Sequence, residues 1–141
     1  EHFLRGPIQG EFIAQDARRY VRETTRRFDA VVVDVYSDRA AIPSHLVTRE
    51  FWQATQGTLQ PEGVLLANLV LDARLASPYA RHLLDTMESV FGRCSTEVLR
   101  KGQAWSNVVA VCHARGRPTP RGIYTDEHNQ VDLEKFAIGI R

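Results

Sequence analysis

Two aspartates carry most of the chemistry open to this sequence. Asp34 closes the run Asp29-Ala30-Val31-Val32-Val33-Asp34-Val35, and Asp38 follows in the loop behind it. A carboxylate where a buried strand ends faces the opening of an α/β sheet, the usual place for a ligand. There Asp34 can take a proton from an attacking group or hold an ammonium, and Asp38 can share the same cationic ligand. The same residues also read as a turn cap and a solvated loop residue, and spacing leaves both readings open. Asp16 has two compatible uses. It can cap the helix that starts at Ala17, worth about 1 kcal/mol, and it can accept a hydrogen bond from a nucleobase amine. Tyr36 can pack on a ligand or on a neighbouring helix. His45 has no serine, cysteine or carboxylate motif beside it and reads as a structural hydrogen-bonding group. Trp52 and Trp105 read as packing residues. The sequence has no phosphate-binding glycine loop, no zinc spacing and no nucleophile elbow, so no metal is expected.

The elements that must position these groups alternate in type. Residues 8–15 suggest a short strand, and Ala17 to Phe28 carry apolar residues at helical spacing. The valine run is expected to be a strand buried on both faces, as in a parallel sheet. A loop from Ser37 to Ser44 leads to a helix over Leu46–Leu59, a turn at Pro61-Glu62-Gly63, and a strand over Val64–Val70. Pro78 opens a helix whose stripe Ala80, Leu83, Leu84, Met87, Val90, Phe91 is the clearest in the chain. Thr96–Leu99 and Asn107–His113 read as an antiparallel hairpin. Residues 124–141 read as a weakly helical or extended tail. Strands alternating with helices imply α/β architecture. The expectation is a single domain over 1–141, a partial class I methyltransferase-like (Rossmann-like) sheet, mostly parallel, with a C-terminal antiparallel hairpin strand.

Composition removes several function classes. With 43% hydrophobic and 25% charged residues the chain has the balance of a globular domain rather than a disordered one. A net charge of +1 gives no nucleic-acid footprint, and the arginines at 18, 19, 22, 26 and 27 fall at helical spacing and read as a solvated face. No apolar run reaches the roughly 18 residues of a membrane span. Cys94 and Cys112 read as small hydrophobes without metal spacing. Two thiols make no disulfide framework, so a reducing cytoplasm is the default expectation. Glu1-His2-Phe3-Leu4-Arg5 has the look of a last helical turn rather than a leader, which suggests a start inside a larger protein.

Taken together, these segments resemble the polyamine aminopropyltransferase (spermidine synthase) family. Phe28–Asp38 is similar to the family's buried strand ending in a catalytic aspartate. Ile42-Pro43-Ser44-His45-Leu46-Val47-Thr48-Arg49-Glu50-Phe51 is similar to its "IP-x-HL-x-T-x-E-F" stretch. Asp16-Ala17-Arg18 resembles the segment that meets the adenine of decarboxylated S-adenosylmethionine. Leu59–Val64 with Asn68 looks like its "L-x-P-x-G-V" turn and strand. Tyr124–Asn129 is similar to its "TDD-x-N-P" segment, with Gln130 in place of proline. The carboxylates Asp34 and Asp38 are four apart, against three in the family's "D-S-S-D". The resemblance implies Asp34 as general base, Asp38 and Tyr36 as substrate-binding residues, and Asp16 and Ala17 against the nucleotide. It implies no tightly bound cofactor, decarboxylated S-adenosylmethionine (or S-adenosylmethionine) as co-substrate, and a polyamine such as putrescine as acceptor. The family's glycine-rich loop and ribose-binding acid would lie before Glu1. With those strands missing, a homodimer or an irregular N-terminal region is expected. A methyltransferase and a non-catalytic assembly domain are the alternatives.

Overall fold

The computed structural model describes residues 10–35, 42–100, 102, 104–117 and 124–139. Tyr36, Asp38 and most of the loop expected at 37–44 lie outside them, as do residues 8 and 9 of the first expected strand. The elements are α1 (Ala17–Glu23), β1 (Phe28–Val33), α2 (Arg49–Gly57), β2 (Leu59–Asp72), α3 (Pro78–Phe91), β3 (Ser95–Val98), β4 (Trp105–His113) and α4 (Val131–Ala137). A single 3₁₀ turn, Ser44–Leu46, precedes α2. The four strands form one sheet in the order β1-β2-β4-β3. β1 and β2 pair in parallel, and β4 runs antiparallel to both of its neighbours, β2 and β3. Three strands therefore point one way and one runs against them, as the α/β reading expected.

Local chemistry sets the boundaries. The Asp16 carboxylate accepts from the Arg19 amide at 2.9 Å, capping α1. The helix stops at Thr24, earlier than Phe28, because β-branched Thr24 and Thr25 favour extended backbone and Phe28 is taken by β1. Thr48 caps α2 and Ser77 caps α3. Gly92 ends α3 at φ 75°, a left-handed conformation that favours glycine. The turn expected at Pro61–Gly63 is instead a bulge inside β2. Phe28 pairs with Leu59 but Ala30 with Val64, so the extra residues bow out between two paired positions.

The core lies on one face of the sheet. Along β2, Leu65, Ala67, Leu69 and Leu71 are fully buried, and the residues between them are half-buried. β4 adds Val108, Ala110 and Cys112; α2 adds Phe51 and Trp52; and α3 adds Tyr79, Leu83, Met87 and Phe91. The α3 stripe was read correctly, with Leu84 at its half-buried margin. Two expectations fail. Residues 10–15 form no strand and are exposed, having no paired neighbour among the described residues. β1 is not buried on both faces: it is the edge of the described sheet, and Val32 is 68% exposed.

The cysteines are also corrected. Cys94 and Cys112 form a disulfide with 4.5 Å between Cα atoms. They face each other across β3 and β4, where the Ser95–Val111 pairing brings their neighbours into register. Each is buried, which explains why they read as small hydrophobes, but the inference of free thiols, and of a reducing compartment from them, does not stand.

Two tests follow from this packing. The unreduced, unfolded protein should show no thiols in a colorimetric titration, and reduction should cost about 3 kcal/mol in urea unfolding, the scale for a loop of this separation. Gly116 abuts α3, where an added Cβ would lie 1.3 Å from the Phe91 carbonyl oxygen, whereas one at Gly57 would meet nothing within 4 Å. Gly116→Ala should therefore destabilise by about 2 kcal/mol or more, and Gly57→Ala should stabilise by about 0.4–1 kcal/mol.

Candidate active site

The parallel strands deliver two polar side chains side by side. Asp34 follows the last residue of β1 and is exposed. One strand over, Asn68 of β2 donates from Nδ2 to Asp34 Oδ1 at 3.0 Å. The parallel register makes this contact, since Val33 pairs with Ala67 and the next residues along are Asp34 and Asn68. A carboxylate held this way keeps a second oxygen for a substrate proton.

Asp16 and His45 form a second pair. His45 Nε2 lies 3.7 Å from Asp16 Oδ2, and both side chains are more than half exposed. The backbone amide of Arg19 holds the Asp16 carboxyl below its ordinary value, against a smaller opposing effect of burial, and His45 adds to the lowering. His45 thus meets a carboxylate that local sequence spacing did not reveal. Ala17, beside Asp16, is half-buried and lines an apolar cleft of about 300 Å³ between α1 and β1. Tyr20, Val21, Val31, Val35 and Phe51 are among its other walls. Ala17 and Val35 are the chain neighbours of Asp16 and Asp34, which do not themselves line the cleft.

Arg18 is the residue that the sequence reading misplaced. Its Nη1 donates to the His45 carbonyl at 2.7 Å and to Thr48 Oγ1 at 3.2 Å, and its Nη2 is paired with Asp126. Its side chain is only 16% exposed. The remaining arginines fit the solvated reading better: Arg19 pairs with Glu23 one turn on, and Arg26 with Glu11 while stacking on Phe28. No local signal marks Arg18, because its acidic partner is 108 residues away.

The C-terminal segment closes round the turn before α2. Tyr124 accepts from the Arg49 amide at 2.8 Å through its carbonyl, and the Asp126 amide donates to Glu50 Oε2 at 2.9 Å. Tyr124 is fully buried, and its hydroxyl donates to Glu134, which also meets His82 at 2.7 Å. Burial, reinforced by the Glu134 carboxylate, pushes the Tyr124 phenol far above its ordinary value, so it stays protonated and keeps its hydrogen for Glu134. Among the described residues no cluster could hold a metal ion, and no helix is long and apolar enough to cross a membrane.

Comparisons with known proteins bear on the fold and on the relatives of the chain. No family model matches the chain. A polyamine aminopropyltransferase from Vibrio vulnificus is 35% identical over 80 residues, which is 55% of this chain and 25% of that protein. A probable spermidine synthase from Corynebacterium glutamicum superposes with a TM-score of 0.61 at 20% identity, over 92% of this chain and 52% of that one. The chain is related to the spermidine synthase family. The fold is broader than the family: human methyltransferase-like protein 13, solved with SAH, superposes with a TM-score of 0.53 at 24% identity, over 76% of this chain and 49% of that one. The chain thus spans about a quarter of the curated relative and about half of each solved structure. The methyltransferase-like α/β fold read from the sequence is the fold observed.

Acid titration tests the Arg18 contact. The Arg18 hydrogen bond holds the Asp126 carboxyl below its ordinary value of 3.8, against the opposing effect of burial. A carboxyl lowered in the folded state contributes stability above 3.8, and that contribution fades as pH falls through the folded value. Asp126→Asn should therefore lower the urea midpoint near pH 7, and the gap to wild type should close between about pH 4 and pH 2. A gap constant over that range would exclude the ionic contact.

Proposed function

We propose that this chain carries the base-bearing half of an aminopropyl-transfer site, with Asp34 as general base and decarboxylated S-adenosylmethionine as co-substrate. What supports the reading above all is the exposed Asp34 carboxylate at the C-terminal end of β1, oriented by Asn68. An amine attacks only when neutral. In the proposed reaction the amine nitrogen of a polyamine such as putrescine attacks the aminopropyl carbon bonded to the sulfonium. The C–N bond forms as the C–S bond breaks, its electron pair leaves with sulfur as a neutral thioether, and the amine proton passes to Asp34. Asp38 and Tyr36 would bind the acceptor, and Asp16 would accept from the adenine amine with Ala17 in the wall behind it.

The named relatives favour this chemistry over methyl transfer, because the sequence match is to an aminopropyltransferase whereas the methyltransferase match is one of fold. A cytoplasmic location belongs to the same proposal and is drawn from the polyamine relatives, not from the cysteines. So does a homodimer, since the β1 edge with its exposed Val32 offers unpaired backbone to a second copy.

Calorimetric binding of decarboxylated S-adenosylmethionine, S-adenosylmethionine and putrescine to this chain and to the natural polypeptide tests the assignment. Selective binding of the decarboxylated nucleotide by the natural polypeptide, with kcat falling about 10²–10⁴-fold in Asp34→Asn, is the expected result. Preference for S-adenosylmethionine would make it a methyltransferase. Binding of neither nucleotide would leave an assembly role.

A further inference from the structure

The turn Ser44–Leu46 carries His45, which faces Asp16, and three carbonyls in and just before it accept from side chains distant in sequence. The Ile42 carbonyl accepts from Lys135 Nζ at 2.7 Å, across 93 residues of sequence. The Ser44 carbonyl accepts from Asn129 Nδ2 at 2.7 Å. The His45 carbonyl accepts from Arg18, which is itself held by Asp126. Residues of the segment Tyr124–Ala137 thus fix two of the three carbonyls directly and the third through Arg18.

Lys135 is the unusual member. It is 6% exposed, lies 5.9 Å over the Tyr79 ring, and has Asp132 Oδ1 at 3.3 Å. Lysine is almost never buried without a specific partner, and desolvating its amine is costly. An apolar residue would fill the same space at less cost, so packing alone does not account for a lysine here. What an apolar residue could not do is hold the Ile42 carbonyl. Asn129 is fixed in turn, its Oδ1 accepting from the Val131 amide at the start of α4. Lys135 therefore rides on α4 and Asn129 is tied to its first residue, and Glu134 on the same helix ties it to Tyr124 and His82.

We propose that the segment Tyr124–Ala137 is a positioning element for the nucleotide end of the site. Lys135 and Asn129 set where the turn presents His45 to Asp16. The inference rests on the assignment of Asp16 to the nucleotide made above. It separates the two substrates: disturbing the clamp should weaken the nucleotide and spare the amine, because Asp34 is held independently by Asn68.

The experiment compares Lys135→Met, Lys135→Arg and Asn129→Ala in the natural polypeptide. Gln56→Leu serves as a stability control, since Gln56 bridges the Val90 and Ala114 carbonyls away from the turn. Lys135→Met and Asn129→Ala should raise KM for decarboxylated S-adenosylmethionine about tenfold and leave KM for putrescine within about twofold, whereas Lys135→Arg, which keeps a cationic donor, should stay close to wild type. Gln56→Leu should lower the melting temperature and leave both KM values alone. Hydrogen exchange gives a readout independent of activity. The Leu46 and Val47 amides, bonded to the Pro43 and Ser44 carbonyls, should exchange faster in Lys135→Met while β2 and β4 amides do not change. Unchanged exchange at Leu46 and Val47 overturns the positioning role whatever the kinetics show. Faster exchange with an unchanged nucleotide KM overturns its link to the nucleotide. A wild-type polypeptide that transfers no aminopropyl group overturns the proposed reaction instead, and the exchange result still decides the clamp.

Discussion

β2 is the constraint on which the remaining structure depends. It takes a parallel partner on one side and an antiparallel one on the other, and its inward side chains Leu65, Leu69 and Leu71 are fully buried under α2 and α3. Because its period is two, one set of residues is committed to the core and Asn68 falls in the alternate set. Its parallel pairing with β1 then places Asn68 next to Asp34. The candidate base is oriented by register, and a shift of one residue would separate the pair as surely as a substitution would. The bulge at residues 60–63 lies just before this stretch and absorbs the mismatch between β1 and the start of β2, so pairing from Val64 onward is regular.

What the sequence made legible is what short-range physics controls. The α3 stripe, the Asp16 cap, the Gly92 stop and the antiparallel β3–β4 pair all follow from residues within a few positions of one another. Asp34 was legible for the same reason, as the polar end of a valine run. The failures have a common origin in distant context. The valine run predicts burial on both faces, but an edge strand has one neighbour, so Val32 stays exposed. Cys94 and Cys112 carry no pairing signal until β3 and β4 are aligned. Arg18 looks like any other exposed helical arginine until Asp126 arrives from the far end of the chain.

The candidate site is therefore of two kinds. Its Asp34 end is built by the adjacent strands β1 and β2, and only Asp34 itself, the polar end of a valine run, stands out in the local pattern. Its other end is assembled from α1, the turn at Ser44–Leu46 and the C-terminal segment, which meet only in the folded state. The tail that spacing leaves as weakly helical or extended contains the helix α4, and its two key donors reach backbone carbonyls, acceptors present at every residue and so invisible in sequence.

This division explains how a chain spanning about half of the matched structures can still hold Asp34 in a fixed orientation. The Asp34–Asn68 contact needs only the β1–β2 ladder, and that ladder is anchored by β4 and the helices beyond it, all within the described residues. The β1 edge is different: it has no second neighbour among those residues, and the exposed Val32 and the apolar cleft beside α1 lie there. A parallel strand is normally flanked and covered, so the surface left open at β1 is one still able to take another strand.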